Sequence, residues 1–289
     1  MISISEISSD DSQCRECPTA VAGRQFPMAQ SMRSKPTAPF QATFEAFPKH
    51  LRVGAWSWVA YLYIVVVLCA LVLSPLLFQI PTLETLHAGS SGPSDYLPSS
   101  VAAAPRTVSA ILSLYMVAVL MYMVRTVGVW PFASYTMISW SFTTLRHLSR
   151  AAAVADHIRE VIHFPAVATT CVTVLIWWSM IMPAVYFLAC RTAESKRRFL
   201  AFNARPFLLN VHILNFPLML VDHLLEPRKF CPTDLWIGLT YGMAYLIFYL
   251  LVLDANGAHF YIVFSPRTPL CFIPYTLVLV LHYSIWRMI

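Results

Sequence analysis

The sequence predicts an all-α protein, a polytopic bundle of transmembrane helices. Of its 289 residues, 58% are hydrophobic and 12% are charged, whereas an average soluble domain has roughly 45–50% and 25%. The mean hydropathy is +0.62. Seven apolar segments each approach the roughly 17–25 residues that a spanning helix needs. These observations exclude a disordered chain, an ordinary cytosolic domain and a nucleic-acid-binding protein with exposed basic helices.

The apolar segments predict the order of elements. In chain order they are residues 53–78, 108–124, 127–144, 161–190, 206–225, 235–253 and 270–286. The third segment fits a lipid-facing helix worst, because Thr and Ser are frequent in it and Arg125 and Arg146 flank it. The sequence therefore predicts about seven spans, with the third as the weakest candidate.

Three regions follow from this pattern. Residues 1–50 are rich in Ser, Pro, Thr and Gln without periodicity, which predicts a disordered polar tail. Residues 51–105 hold the first apolar segment and a Ser/Pro/Gly-rich loop. Residues 106–289 hold the remaining six segments and are predicted to form the main membrane domain.

Cysteine and histidine patterns argue against a metal or redox protein. The seven cysteines are an odd number and several lie in apolar segments, so we expect no disulfide framework. Cys14 and Cys17 form a C-x-x-C pair, but no second pair of ligands follows, as a zinc site requires. The histidines do not form the clusters of a di-iron oxidase. We therefore expect no metal and no cofactor.

The net charge of +6 is carried by short loops and predicts orientation. With a cytoplasmic N-terminus, eleven Lys and Arg residues near the spans lie inside. Seven lie on the other face: Arg106, Arg146, Arg150, Arg159, Arg228, Lys229 and Arg287. This bias predicts a cytoplasmic N-terminus, in an endoplasmic reticulum, other endomembrane or plasma membrane. The basic loops are expected to contact membrane lipids and not nucleic acid; the pattern does not indicate an oligomeric state.

The fifth segment is unusually polar for a spanning helix. His212, Asn215, Met219 and Asp222 are spaced so that they share one face of a helix, while Asn210 points away. Ionisable groups inside a membrane are costly and often functional. A neutral imidazole there can act as a general base, or it can simply bond a neighbouring helix. Asn215, one turn away, could orient His212 or donate to an oxyanion.

A nucleophile for this histidine would have to come from another helix at the same depth. Thr136 lies about as far into the third segment as His212 lies into the fifth. Both segments are odd-numbered and run in the same direction, so both side chains are expected roughly 10 Å below one face. The alternative for Thr136 is a hydroxyl bonded to its own helix. Gly89 to Gly92 resemble the G-x-S-G of intramembrane serine proteases, but a flexible linker explains them.

Several segments, in order, resemble the androgen-induced protein family and, more distantly, rolling-stone-like membrane proteins. Residues 132–143 are similar to the family's F-x-Y-T-x-W-S/T-F segment. Phe164-Pro165 and the tryptophans that follow resemble its F-P … F-W … P helix. Residues 210–222 resemble its H-x-x-N/V-x-P-x-x-L-x-D/E helix. The resemblance covers about residues 106–286, and the order and spacing of the motifs carry it.

This resemblance implies six family-like helices preceded by one extra N-terminal helix. It also implies hydrolysis of fatty-acid esters of hydroxy fatty acids by a membrane-embedded threonine and histidine. Carried over, the nucleophile falls on Thr136 and the base on His212. A rival register places the threonine on Thr107, which fits the spacing to the Phe-Pro helix better. The chain departs from the family by an extra methionine after Thr136 and by Tyr261-Ile262 in place of Tyr-Pro.

Two functions therefore remain open. In the first, the protein is a lipid hydrolase in which Thr136 attacks an ester carbonyl, His212 takes its proton and Asn215 stabilises the oxyanion. Arg205, at the start of the fifth segment, would hold the carboxylate of a lipid substrate at the interface. In the second, the protein is a non-catalytic scaffold or a solute carrier. The lack of an internal repeat argues mildly against transport.

Overall fold

The computed structural model describes residues 49–78, 99–153 and 156–289, and these residues form helices and loops without a strand. The predicted disordered tail, apart from residues 49–50, lies outside the described residues. The pair Cys14/Cys17, most of the Ser/Pro/Gly-rich loop and the Gly89–Gly92 motif also lie outside them. The predictions for these three features are therefore untested by the fold.

The helices follow the predicted order. They are α1 (Trp58–Phe78), α2 (Ser99–Val127), α3 (Tyr135–Ala152), α4 (Asp156–Val161), α5 (His163–Ile176), α6 (Ala193–Asn203), α7 (Asn215–Leu225), α8 (Pro232–Phe248) and α9 (Phe272–Met288). Beyond its end, α5 is extended by π-helical turns at Trp177–Ile181 and Val185–Ala189. α7 is preceded by a π-helical turn at Asn210–Leu214, and α8 is followed by one at Tyr249–Asp254.

Six stretches within the described residues, not seven, are long and apolar enough to cross a membrane. They are Trp58–Pro75, Ala104–Thr126, His157–Leu188, Pro206–Leu225, Pro232–Asp254 and Pro269–Met288. They identify the chain as an integral, multi-pass membrane protein. The third predicted segment, 127–144, is not among them, because the helix that forms there, Tyr135–Ala152, is rich in Ser and Thr and contains Arg146 and Arg150.

The third segment instead forms a polar helix, α3, that packs against α2, α5 and α7. α3 begins one residue after Ser134, whose hydroxyl accepts a hydrogen bond from the Met137 N–H at 3.3 Å and caps the helix. It continues past Arg146, which the sequence suggested as its flank, and ends where Ala153 adopts a left-handed conformation (φ 52°). Its polar side chains are buried against α2, α5 and α7. The polar side chains of α3 therefore do not face lipid, and the helix does not need to be apolar along its whole length.

The bundle is organised around α3 and α5. α2 packs along α3, and α5 contacts α3, α7, α8 and α9. α1 lies at the edge of the bundle and contacts α8 and α9. Most of its apolar side chains are exposed on the outer surface, where lipid would surround the protein. The segment before α1 is fixed to the loop before α9, since the Ser57 N–H donates to the Pro266 carbonyl at 2.8 Å.

Candidate functional site

α3 and α7 lie side by side and parallel, in a constant register. Ser139 contacts Asn215, Thr143 contacts Met219, and Arg146 contacts Asp222, each pair being 76 positions apart in the chain. Arg150 and Glu226 continue the register by the same separation. Because the separation stays constant along both helices, they run in the same direction. The sequence argument from odd-numbered segments predicted this direction.

The middle of this contact is a buried network of uncharged polar groups. The Asn215 Nδ2 donates to the Ser139 hydroxyl at 3.0 Å, and the Asn215 Oδ1 accepts from the Thr143 hydroxyl at 3.4 Å. Ser139 also exchanges a hydrogen bond with Thr170 of α5, at 2.9 Å between the hydroxyl oxygens. Neither Asn215 nor Ser139 is exposed. The network joins three helices through groups that would be costly to bury unpaired.

The C-terminal ends of α3 and α7 carry a cluster of ion pairs. The Asp222 carboxylate accepts from Arg146 and, at 2.5 Å, from Arg150. Glu226 accepts from Arg150 at 2.8 Å and from Arg159 at 3.0 Å. Burial raises the pKa of Glu226, but the hydrogen bond from Arg150 and the charges of Arg159 and Arg146 outweigh this and lower the pKa below its ordinary value. This carboxylate therefore stays ionised.

A cavity opens at the N-terminal end of α3, between α3, α5, α8 and α9. Its volume is about 80 Å³, several times the roughly 10–15 Å³ that one water molecule needs. Its lining residues are mainly aliphatic and aromatic: Tyr63, Tyr135, Thr136, Val172, Thr173, Ile176, Trp177, Ile181, Gly242, Met243, Tyr245, Leu246, Tyr249, Tyr261, Phe264, Tyr275, Val278 and Leu279. Such an apolar wall is suited to contact with the hydrocarbon chain of a lipid.

Thr136 lies on the wall of this cavity and is paired with a tyrosine. The hydroxyl oxygens of Thr136 and Tyr261 are 3.2 Å apart, and the Thr136 N–H donates to the Tyr261 Oη at 3.3 Å. Burial raises the pKa of Tyr261 above its ordinary value. The phenol therefore stays protonated and cannot serve as the base for Thr136 in this state.

His212 lies in a widened turn and faces an indole. Its ring stacks on that of Trp177 with 3.7 Å between the centroids and 9° between the planes. Both residues belong to π-helical turns, a feature that is frequent at functional sites. The His212 Nδ1 is buried without a hydrogen-bond partner. Trp177 also lines the cavity, so His212 lies one side chain behind the cavity wall.

The two predicted catalytic residues are not joined. Thr136 and His212 are 76 positions apart, as the paired residues of α3 and α7 are, but His212 lies in the π-helical turn before α7, where the regular register no longer fixes its level. Within the described residues, the Thr136 hydroxyl bonds to Tyr261, and no hydrogen bond links it to His212. A proton can pass between them only if a water molecule or a side-chain rotation links the Thr136 hydroxyl to the His212 ring.

Two other predicted site residues lie away from the cavity wall. Asn215 bonds to Ser139 and Thr143, and these bonds use its Oδ1 and one of the two N–H groups of its amide. Arg205 is exposed, and its guanidinium lies over the ring of Phe202 at 5.4 Å. Their predicted roles in catalysis remain predictions.

The rival threonine lies at the other end of the bundle. Thr107 is an exposed residue of α2, two positions before Ser109. The Ser109 hydroxyl contacts His147 at 3.4 Å and Arg150 at 3.4 Å, near the C-terminal end of α3. Thr136 lies at the N-terminal end of α3, and the π-helical turn that holds His212 precedes α7, which runs parallel to α3. Of the two threonines, Thr136 therefore lies at the same end of the bundle as His212.

Sequence reasoning missed the direct partners of both candidate residues. Nothing in the sequence links Tyr261 to Thr136 or Trp177 to His212, since each pair comes from separate segments. The sequence did contain a pattern that indicates the ion pairs. Arg146 and Arg150 are four residues apart, and so are Asp222 and Glu226. Parallel helices with complementary charges at equal spacing are expected to pair.

Comparisons with known proteins add no assignment. No family model matches this chain, and no curated protein and no solved structure matches it either. The resemblance to the androgen-induced family remains an expectation from the sequence. Among the described residues, no group of three or more His, Cys, Asp or Glu side chains could hold a metal ion.

Proposed function

We propose that this membrane protein binds a lipid ester in the cavity at the N-terminal end of α3 and hydrolyses it. The observation that carries the proposal is the position of Thr136, a hydroxyl on the wall of an apolar cavity within a membrane-embedded bundle. In this proposal the apolar wall contacts the acyl chain, and the hydroxyls of Thr136 and Tyr261 face the polar ester group. The substrate class that the family resemblance implies is a fatty-acid ester of a hydroxy fatty acid.

In the proposed reaction Thr136 is the nucleophile and His212 is the general base. The threonine oxygen attacks the ester carbonyl and its proton passes to His212, which then protonates the departing alcohol. Water hydrolyses the acyl-threonine and releases the fatty acid. The position of both residues at the same end of the parallel helices α3 and α7 and the unpartnered Nδ1 of His212 support this pairing. A water molecule or a side-chain rotation has to connect them, and catalytic hydrogen bonds are often formed only with substrate bound.

Asn215 and Arg205 have supporting roles in this proposal. Asn215 would donate to the oxyanion with an N–H that α3 does not use. Arg205 precedes the helical turn Pro206–Leu209 and is exposed, so it would hold a substrate carboxylate outside the cavity.

Hydrolysis by the purified full chain in detergent tests the proposal. With a fatty-acid ester of a hydroxy fatty acid, the wild-type protein is expected to release two acids. Thr136→Ala and His212→Ala are each expected to reduce the rate by about 100-fold or more, as loss of a nucleophile or base does. A fluorophosphonate probe is expected to label the wild-type protein and to spare Thr136→Ala.

Thr144→Ala is the matched control for Thr136→Ala. Thr144 belongs to the same helix and is 5% exposed, and its hydroxyl donates to the Trp140 carbonyl at 2.8 Å. The control therefore removes a buried hydroxyl from α3 without touching the cavity, and its activity is expected to match the wild type. Unchanged hydrolysis in both Thr136→Ala and His212→Ala would reject the assignment.

A non-catalytic solute carrier is the second candidate, and the buried ion cluster favours it. Ionisable side chains inside a membrane protein often line a pathway for ions or solutes, and Arg146, Arg150 and Asp222 are buried together. This function predicts no reaction of the wild-type protein with the fluorophosphonate probe. It also predicts that cysteines introduced along the polar face of α7 react with water-soluble reagents from both sides.

We also propose that the N-terminus faces the cytoplasm. The count takes α3 as a seventh crossing, because α3 runs parallel to the spanning helix α7 along its length. Arg146 and Arg150 are buried in α3 and are not loop residues, so five of the seven basic residues counted on the far face remain. Eleven against five is a stronger bias than the sequence count. In this orientation the cavity end of α3 lies toward the cytoplasm and the ion cluster toward the opposite face.

A further inference from the structure

The cavity at the N-terminal end of α3 offers no charge to a ligand. None of its lining residues, all of them within the described part of the chain, is Asp, Glu, Lys, Arg or His. Arg205, which is predicted to bind a substrate carboxylate, is exposed and lies over Phe202. Arg146 and Arg150 lie at the opposite end of α3 and are already paired with Asp222. A carboxylate drawn into this cavity would therefore lose its water without gaining a counter-ion.

Most of the tyrosine hydroxyls around the cavity are used by the fold. Tyr245 donates to the Ala133 carbonyl at 3.1 Å, and Tyr249 donates to the Tyr261 carbonyl at 3.0 Å. Tyr275 donates to the Phe264 carbonyl at 2.9 Å. These rings form the wall while their hydroxyls hold the loops at the end of the bundle. They are not available to a ligand without breaking those bonds.

Two hydroxyls on the same wall have no partner. Tyr135 of α3 and Thr173 of α5 both line the cavity, and the Tyr135 Oη and Thr173 Oγ1 are buried without a hydrogen bond. Thr173 is 5% exposed. Buried hydroxyls are nearly always hydrogen-bonded, because leaving one unpaired costs free energy. A ligand with a hydroxyl or carbonyl group would supply the missing partners.

We propose that this cavity selects an uncharged lipid with one or two hydroxyl or carbonyl groups, and rejects the carboxylate form of the same chain. Tyr135 and Thr173 hydrogen-bond the polar group of the ligand, and the aromatic and aliphatic wall holds its chain. This inference rests on the proposed function, since it takes the cavity as the place where the lipid binds. It adds that any substrate carboxylate has to stay outside the cavity.

Photolabelling with a matched pair of probes tests this selectivity. A long-chain alcohol and the fatty acid of the same length, each with a mid-chain diazirine, are compared on the full chain in detergent at about pH 8, where the acid is ionised. The alcohol is expected to label peptides that contain Tyr135 or Thr173 about tenfold more than the acid, because an ionised group without a partner is costly to bury. Equal or stronger labelling by the acid would overturn the selectivity and leave the hydrolase proposal to its own assay.

Nearly isosteric variants assign the effect to the two hydroxyls. Thr173→Val and Tyr135→Phe keep the shape of the wall, and each is expected to reduce labelling by the alcohol several-fold. Thr169→Val is the control, since Thr169 lies one turn earlier on α5 and its hydroxyl donates to the Ala166 carbonyl at 3.3 Å. Wild-type labelling in Thr173→Val and Tyr135→Phe would overturn their role. If neither probe labels the cavity peptides, both the selectivity and the cavity as the lipid site are rejected.

Discussion

Arg146 and Asp222 form an ion pair in which neither side chain is exposed, although one comes from α3 and the other from α7. Arg150 binds the second oxygen of the same carboxylate. Asp222 thus pairs with two arginines at the end of the α3–α7 contact, and Glu226, which is partly exposed, pairs with both as well. A buried charge that loses its partner is strongly destabilising, so the bundle is expected to be sensitive to substitution of Asp222.

Asp222→Ala is expected to destabilise the protein severely. It leaves Arg146 without its fully buried counter-ion, and removal of one partner of a buried pair costs about 3–5 kcal/mol. Thermal unfolding of the detergent-solubilised chain measures the loss. Glu194→Ala is the control, because the partners of Glu194 are exposed arginines of α6 and exposed pairs contribute little. Equal unfolding temperatures for the two variants would contradict the structure of the cluster.

Ser139 and Asn215 are expected to be coupled. The single variants Ser139→Ala and Asn215→Leu each remove one side of a buried 3.0 Å hydrogen bond. The double variant should therefore be more stable than the sum of the single losses predicts, by about 0.5–3 kcal/mol in a double-mutant cycle. Additive losses would show that the two groups do not interact. If Asn215→Leu lowers the rate of hydrolysis and leaves stability unchanged, its role is at the oxyanion and not in helix pairing.

Acidification is expected to weaken the ion cluster through Glu226. Its pKa in the folded protein lies below its ordinary value of about 4.3. Its contribution to stability is therefore complete above the pKa of the unfolded chain and is lost as the pH falls through the folded pKa. Unfolding temperatures should be flat near neutral pH and should fall below about pH 4. Glu226→Gln should flatten this fall, whereas Glu194→Gln should leave it in place.

Gly238 and Gly242 are expected to respond differently to the same change. A Cβ at Gly238 would approach the Phe164 ring to 2.6 Å, whereas a Cβ at Gly242 would have 3.8 Å to His282. Phe164 is fully buried, so Gly238→Ala should cost about 1–3 kcal/mol of stability by overpacking. Gly242→Ala should fold normally but narrow the cavity that Gly242 lines. Equal unfolding temperatures for the two variants would refute the packing at Gly238.

Glycosylation of inserted acceptor sequences tests the proposed cytoplasmic location of the N-terminus. An acceptor sequence inserted between α7 and α8, near Lys229, is expected to be glycosylated in microsomes, since that loop lies opposite the cytoplasm. The same insertion near Arg191, before α6, should remain unmodified. The reversed pattern would place the N-terminus on the other side of the membrane.

Part of the candidate site could be predicted from the sequence because it depends on helical periodicity. His212, Asn215, Met219 and Asp222 were expected on one face, and all four are buried. The parallel direction of α3 and α7 followed from the direction of alternate segments. The partners of these residues could not be predicted in this way. Tyr261 lies in a loop, and Trp177 and His212 lie in π-helical turns whose widened geometry departs from the 3.6-residue repeat.

By itself the sequence determined the lipid-facing part of this protein, because a helix exposed to hydrocarbon has to be apolar along its length, and this requirement is local. Six of the seven segments meet it. Only the tertiary structure explains why α3 can be polar. Asp222 and Asn215 of α7 pair with the polar side chains of α3 because the two helices, which are far apart in the sequence, lie side by side in one register. Buried polar groups pair with residues that are close in space, and here those residues are far apart in the sequence, so local sequence patterns do not reveal the pairs.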